Sequence, residues 1–281
     1  MSLFHLSKKH SIKMHKIKKF FQALLIILQK PFLLNEVIHS QNKYQKRVIE
    51  KYGLKDGLPT VDLLKLFPRF HETIEPVAFL EGGSMVTDIA LIKSLAKKYA
   101  VENFLEIGTW RGESIANVAS VVKNCYTVNL PDHDILELTE DADYVKSHRF
   151  FSNELPNVKH ISANSLEFDF DSLNTKFDMI FIDGDHHYDS VKKDTETAFK
   201  IINPEKSIIV WHDCMRSPEF ARWEVLLGIL DGCPENKRQY LYHVSNTLCA
   251  VYMGKKIESD YMTPYRLPNK KFIVEIRAQE I

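Results

Sequence analysis

The chain has 281 residues, 44% hydrophobic and 26% charged, enough for one large α/β domain with an extension. Lysine plus arginine and aspartate plus glutamate number 37 each, so no global basic charge points to a nucleic-acid partner. The four cysteines, Cys125, Cys214, Cys233 and Cys249, are widely spaced with no C-x-x-C, which argues against a disulfide framework and for buried free thiols in a reducing, cytoplasmic setting.

The charge is uneven along the chain. Residues 1–35 hold seven lysines (Lys8, Lys9, Lys13, Lys16, Lys18, Lys19 and Lys30) and no acid. Within them lies the apolar run Phe20 to Leu28, shorter than the roughly 20 residues a bilayer span needs and without the small-residue cleavage site of a secretory signal. Two readings remain open. The segment is a helix docked on the domain or on a second subunit of a homo-oligomer, which is the preferred reading, or it lies on the anionic inner face of a membrane. Residues 35–52 read as a second helix, with Val37, Ile38, Val48 and Ile49 on an apolar stripe, broken by Gly53, Gly57 and Pro59. A short apolar segment from Val61 to Phe67 is closed by Pro68. Residues 1–75 are therefore taken as a helical, basic N-terminal extension, and residues 76–281 as the principal domain.

From Glu81 onward the pattern changes. Ser84 is a plausible N-cap for a helix running to Lys98. Strands are then expected at 103–107, 125–130, 158–162, 178–183 and 207–211, with helices at 113–122, 140–153, 187–202 and 218–231. Apolar runs at 240–244 and 248–253 flank Ser245-Asn246-Thr247, and a last strand is expected at 271–276. Repeated βα units imply a Rossmann-like, mostly parallel sheet with helices on both faces, ending in an antiparallel edge.

The stretch Glu106-Ile107-Gly108-Thr109-Trp110-Arg111-Gly112 ends an apolar strand in an acid and turns through two glycines into a helix. In a dinucleotide site a pyrophosphate would lie near this point, and a carboxylate would repel it. The same carboxylate would attract a cation, which makes S-adenosylmethionine, with its ammonium and sulfonium, the natural ligand. Ligands of open parallel sheets bind at the carboxyl ends of the strands. There the sequence places Glu106, Asn129, Asn164-Ser165, Asp183-Gly184-Asp185-His186 and His212-Asp213, whereas Asp132 and His133 read as solvated loop residues. Neighbouring strands would bring Asp183, Asp185, His212 and Asp213 within reach of one Mg²⁺ or Mn²⁺ ion; the plainer reading is an acid cluster that caps the following helices. Trp110, Tyr188, Trp211 and Phe220 would flank a substrate ring or simply pack.

Leu105 to Gly112, and Phe181-Ile182-Asp183-Gly184-Asp185-His186-His187-Tyr188 followed by Val191 and Asp194, resemble the motifs of class I S-adenosylmethionine-dependent methyltransferases, in particular the macrocin O-methyltransferase-like enzymes that act on sugars and other small molecules. The resemblance covers about residue 75 to the C-terminus. It implies a seven-stranded sheet with one antiparallel strand near the edge. It implies cofactor contacts from Glu106, Gly108, Thr109, Gly112, Ser114, Asn129, Asn164, Ser165 and Asp183, with Asn129 standing where an acid often binds the ribose. It implies metal ligation by Asp183, His212 and Asp213, with His212 in place of a more usual second acid. Asp185 or His186 would take the acceptor proton during O-methylation of a small-molecule or glycan hydroxyl. The alternatives are an NAD(P)-dependent sugar-modifying oxidoreductase, disfavoured by Glu106, and a catalytically inactive methyltransferase-fold binding protein.

Overall fold

The computed structural model describes residues 3–31 and 41–280, with side chains from residue 16 onward. The chain divides into two compact units at Tyr44/Gln45. The first holds α1 (Leu3–Gln29) and the start of α2 (Gln41–Tyr52). Helix α1 stops just before Pro31, whose ring restricts the preceding residue to extended conformations. Val37 and Ile38 lie outside the described residues.

The second unit is built on a nine-stranded sheet. Its strands are β1 (Pro59–Val61), β2 (Asn103–Ile107), β3 (Asn124–Asn129), β4 (Val158–Ser162), β5 (Met179–Ile182), β6 (Ile208–Trp211), β9 (Leu241–Val244), β10 (Ala250–Tyr252) and β11 (Asp260–Tyr261). A separate two-stranded ribbon pairs β7 (Met215–Ser217) with β8 (Phe220–Ala221). The sheet order is β11-β1-β9-β10-β6-β5-β2-β3-β4. Strands β4, β3, β2, β5 and β6 run parallel, and β10 is antiparallel to both its neighbours, β6 and β9. Every residue of β5 and β6 is buried, as expected of parallel strands covered on both faces. Helix α4 (Val86–Lys98) packs on α5 (Glu113–Ala119), and α8 (Tyr188–Ile201) packs on α9 (Trp223–Gly232). Leu91, Ile92, Leu95, Phe104, Ile115, Met179, Phe181, Val210 and Val251 meet in the core.

Seven of these strands, β4 through β9 in the sheet order, give the expected class I arrangement with its single antiparallel strand. The count itself is corrected: β1 and β11 extend the sheet by two. Residues 59–61, assigned from sequence to the helical extension, pair with β9 through Thr60↔His243 and Val61↔Val244. The compact unit accordingly begins well before residue 75. The strand expected at 271–276 does not form, and Ile273, Val274 and Ile276 are exposed; the edge of β1 is already taken by β11. The helix expected at 140–153 is replaced by α6 (Asp132–Thr139) and α7 (Ala142–Ser147). They are divided at Glu140, whose φ of 54° is left-handed, and Asp141 then caps the amides of Asp143 and Tyr144. The helix expected from 218 starts at Trp223 because the β7–β8 ribbon occupies the residues before it.

Candidate active site

A cavity of about 1000 Å³ opens at the carboxyl ends of the parallel strands. Gly108, Thr109, Gly112, Ser114, Asn129, Asn164, Ser165, Asp183, Asp185, His186, His212 and Asp213 all line it. Of the residues expected at the site, Glu106 alone does not.

The loop after β2 forms one wall. Gly108 has φ +93°, and a Cβ there would overlap the carbonyl oxygen of Asp183; Gly112 has φ +80°, and a Cβ there would overlap the Ser152 hydroxyl. Both glycines are thus demanded by close packing of the protein on itself. Between them Trp110, also left-handed at φ 45°, sets its ring 4.2 Å from Tyr144 and 4.9 Å from His148. Arg111 is buried and donates to the carbonyls of Glu81 (2.9 Å) and Leu80 (3.3 Å).

Glu106 sits beneath this loop, fully buried. Its carboxyl accepts from the Ser114 hydroxyl and from Thr127 Oγ1. Burial drives its pKa well above the ordinary glutamate value, the Asp183 charge adds to the shift, and the two hydroxyls oppose it. The Glu106 side chain does not line the cavity, whereas Ser114, which donates to it, does. At the end of β3, Asn129 Oδ1 accepts from the Thr109 amide (3.4 Å), and its Nδ2 lies 3.1 Å from His148 Nδ1. Asn164 Oδ1 accepts from the Leu166 amide. Asp194, which sequence reasoning used only as part of a motif, also lines the cavity; burial pushes its carboxyl up to about 6 against a hydrogen bond from Ser165.

Four buried polar atoms of cavity-lining residues, Trp110 Nε1, Arg111 Nε, His148 Nε2 and Asp194 Oδ1, have no hydrogen-bond partner among the described residues. Unsatisfied groups of this kind cost roughly 1–3 kcal/mol each unless a ligand meets them. A nucleoside with ring nitrogens and ribose hydroxyls has the donors and acceptors to do so.

The opposite rim carries the titratable groups. Asp183 follows β5 directly, Asp213 lies two residues beyond β6 after His212, and Asp213 holds a left-handed φ of 54°. His186 Nε2 lies 3.1 Å from Asp213 Oδ2. His212 is buried, with Nδ1 2.9 Å from Asp183 and 3.3 Å from Asp213, and Nε2 3.0 Å from Asp88 on α4. Burial disfavours its charge, but the three carboxylates outweigh that and raise its pKa well above the usual histidine range. Arg222 approaches Asp213 Oδ1 at 3.1 Å. Burial raises the Asp213 carboxyl, yet His212, His186 and Arg222 hold it below its ordinary value. His212 is thus an ion-pair partner of the acids beside it, and the metal-like group in the structure is Asp183, His186 and Asp213, whose ligand atoms lie within 4.8 Å of one another.

Asp185 is engaged elsewhere. Ser190 Oγ donates to it at 2.7 Å, and the amide and ring of His187 also bind it. Burial would raise its pKa, but these hydrogen bonds prevail and lower it, which makes it a weaker base. Ser84, expected as a helix cap, precedes the observed cap residue Met85 and donates instead to Asp183 Oδ2 (3.4 Å). Asp88 and Arg222 escaped the sequence reading because their partners, His212 and Asp213, lie 124 and 9 residues away and no local pattern joins them. Of the aromatics, Trp211 is fully buried with Nε1 on Thr195 Oγ1, and Tyr188 donates to Asp231; Trp110 alone of the four lines the cavity.

Residues 105–214 match a family described as a methyltransferase domain. The match covers 110 of the 281 residues. The matched span runs from β2 to the residue after Asp213, so it contains the glycine loop, Asn129, Asp183 and the His186–Asp213 pair. Two solved structures align with part of the chain. An O-methyltransferase from Bacillus cereus in complex with SAH aligns at TM-score 0.42 and 17% identity, covering 62% of this chain and 84% of that one. Cofactor-bound Rv0187 from MTB aligns at TM-score 0.45 and 16% identity, covering 62% and 82%. No curated protein matches the sequence.

Proposed function

We propose that the chain transfers the methyl group of S-adenosylmethionine to a hydroxyl oxygen of a small-molecule or carbohydrate acceptor. The observation that carries this reading is the pairing, in one cavity, of the Gly108–Gly112 wall with the Asp183–His186–Asp213 rim. When bound, S-adenosylmethionine supplies a methyl group already activated by its sulfonium. The protein must then align the acceptor oxygen and accept its proton. His186 is the group for that proton: its Nε2 faces Asp213, which orients the ring and stabilises the imidazolium that forms. Asp185 is assigned to holding the start of α8, through Ser190 and His187.

A second reading is favoured by the ligand-atom spacing. Two carboxylates and one imidazole suit Mg²⁺ or Mn²⁺. Asp183, His186 and Asp213 would hold the ion, whose charge would lower the acceptor pKa. The base reading is preferred because His212 and Arg222 already bring positive charge to Asp183 and Asp213.

The test combines calorimetric titration of S-adenosylhomocysteine with methyl-transfer assays over a panel of hydroxylated acceptors, with and without EDTA. Binding without added metal, and turnover that survives EDTA, support His186 as base. Turnover abolished by EDTA and restored by Mn²⁺ moves His186 to the ligand role. Binding of NADPH in place of S-adenosylhomocysteine would overturn the methyltransferase reading altogether.

A further inference from the structure

Helix α1 has no part in the chemistry above, yet it is the most unusual surface in the sequence. Among its described side chains, Ile17, Phe20, Phe21, Leu24, Leu25, Ile26 and Leu28 are 43–69% exposed, and all but Ile26 lie on or beside one face. Ile17, Phe21, Leu24 and Leu28 follow the i, i+4, i+7, i+11 spacing of one helical face, over about 16 Å of axis. Phe20 and Leu25 flank that line on either side and widen it beyond the narrow seam of a coiled coil. Lys19 falls on the opposite face beside Ile26, Lys16 and Lys18 border the apolar face on its two sides, and Lys30 follows the helix end, all exposed. Residues 1–35 contain no acid at all. Among the described residues no helix is long and apolar enough to cross a membrane.

We propose that α1 lies in the plane of an anionic lipid surface, with the Ile17–Leu28 face among the acyl chains and the lysines toward the headgroups. Charge selects this occupant. An apolar face alone would accept another protein as readily as a bilayer, but seven lysines without one carboxylate match a negatively charged sheet of headgroups. A second copy of the helix would bring like charges together with no acidic partner at the flanks. The proposal does not rest on the catalytic reading.

The full chain is mixed with phosphatidylcholine vesicles and with vesicles containing about one quarter phosphatidylglycerol, then sedimented. It is expected to sediment with the anionic vesicles only, and to be released as salt shortens the screening length from about 10 Å to about 3 Å. Exchanging two lysines together, Lys16→Gln with Lys19→Gln, is expected to weaken partitioning about tenfold. Phe21→Ser with Leu24→Ser is expected to abolish it without moving the melting transition, which excludes misfolding as the cause. Failure to sediment with anionic vesicles overturns the proposal, as does equal binding to neutral ones. A dimer by light scattering that Leu24→Ser converts to monomer, in a chain that ignores vesicles, overturns it in favour of a second copy on the same face.

Discussion

Replacing Glu106 with glutamine would keep the shape of the side chain and an acceptor oxygen for Ser114 and Thr127 while removing the titratable group. The sign of the effect follows from the direction of the shift. The folded carboxyl binds its proton more tightly than the unfolded one, whose value is the ordinary 4.5. Between those two pKa values the folded state holds the extra proton, so stability falls as pH rises through that window and stays lower above it. Glu106→Gln should therefore match the parent at about pH 4 and exceed it in melting temperature near pH 8, the gap opening between. A constant gap across that range would show that Glu106 does not titrate differently on folding. On the rim, His186→Ala is expected to lower turnover by about 10²- to 10⁴-fold while leaving S-adenosylhomocysteine affinity intact. Asp185→Asn should instead leave turnover nearly unchanged and cost about 1 kcal/mol of stability through its bonds to Ser190 and His187. The sequence alone ranked the two equally, because both follow the same strand. Only the side-chain partners separate them.

At the scale of elements, the glycine loop and the end of β5 form one packed unit. The Asp183 carbonyl lies where a Gly108 Cβ would stand, and φ +93° is unfavourable for any side chain. Gly108→Ala should cost about 3 kcal/mol or more, read from the denaturant midpoint, and should weaken S-adenosylhomocysteine binding because relief of the overlap must move the loop or Asp183. The alternation of strands and helices from residue 103 to 232 was legible because fully buried parallel strands print as uninterrupted apolar runs ending in polar rim residues. What stayed hidden was set by partners distant in sequence. Asp88 looks like an ordinary first-turn acid until α4 brings it to His212. Pro59–Val61 and Asp260–Tyr261 are too short to show a period. Residues 271–276 have strand-like composition, but β11 already takes the outer side of β1. Gly108 and Gly112 hold the positive φ that a glycine turn suggests; the packing adds that Asp183 and Ser152 occupy the space a Cβ would need.

For the whole molecule, the division at Tyr44/Gln45 makes a prediction that can be set against the sequence boundary near residue 75. The buried apolar residues of the second unit begin at Val48 and Leu58, and its central cluster begins at Val61 and Leu63. Deleting residues 1–40 should leave the melting temperature within about 2 °C of the full chain, leave S-adenosylhomocysteine binding unchanged, and abolish sedimentation with anionic vesicles. Extending the deletion through residue 62 should behave differently. It removes β1 and the Thr60–His243 contact (3.1 Å), and with β1 goes the only partner of β11 in the sheet. The exposed side of β9 would then present unpaired backbone groups, an edge that invites association. This longer deletion is expected to melt several degrees lower and to aggregate on heating, with light scattering as the readout. If the two truncations behaved alike, with both folded and both binding S-adenosylhomocysteine, β1 would be a dispensable edge and the boundary near residue 75 would describe the catalytic unit better than the one at residue 45.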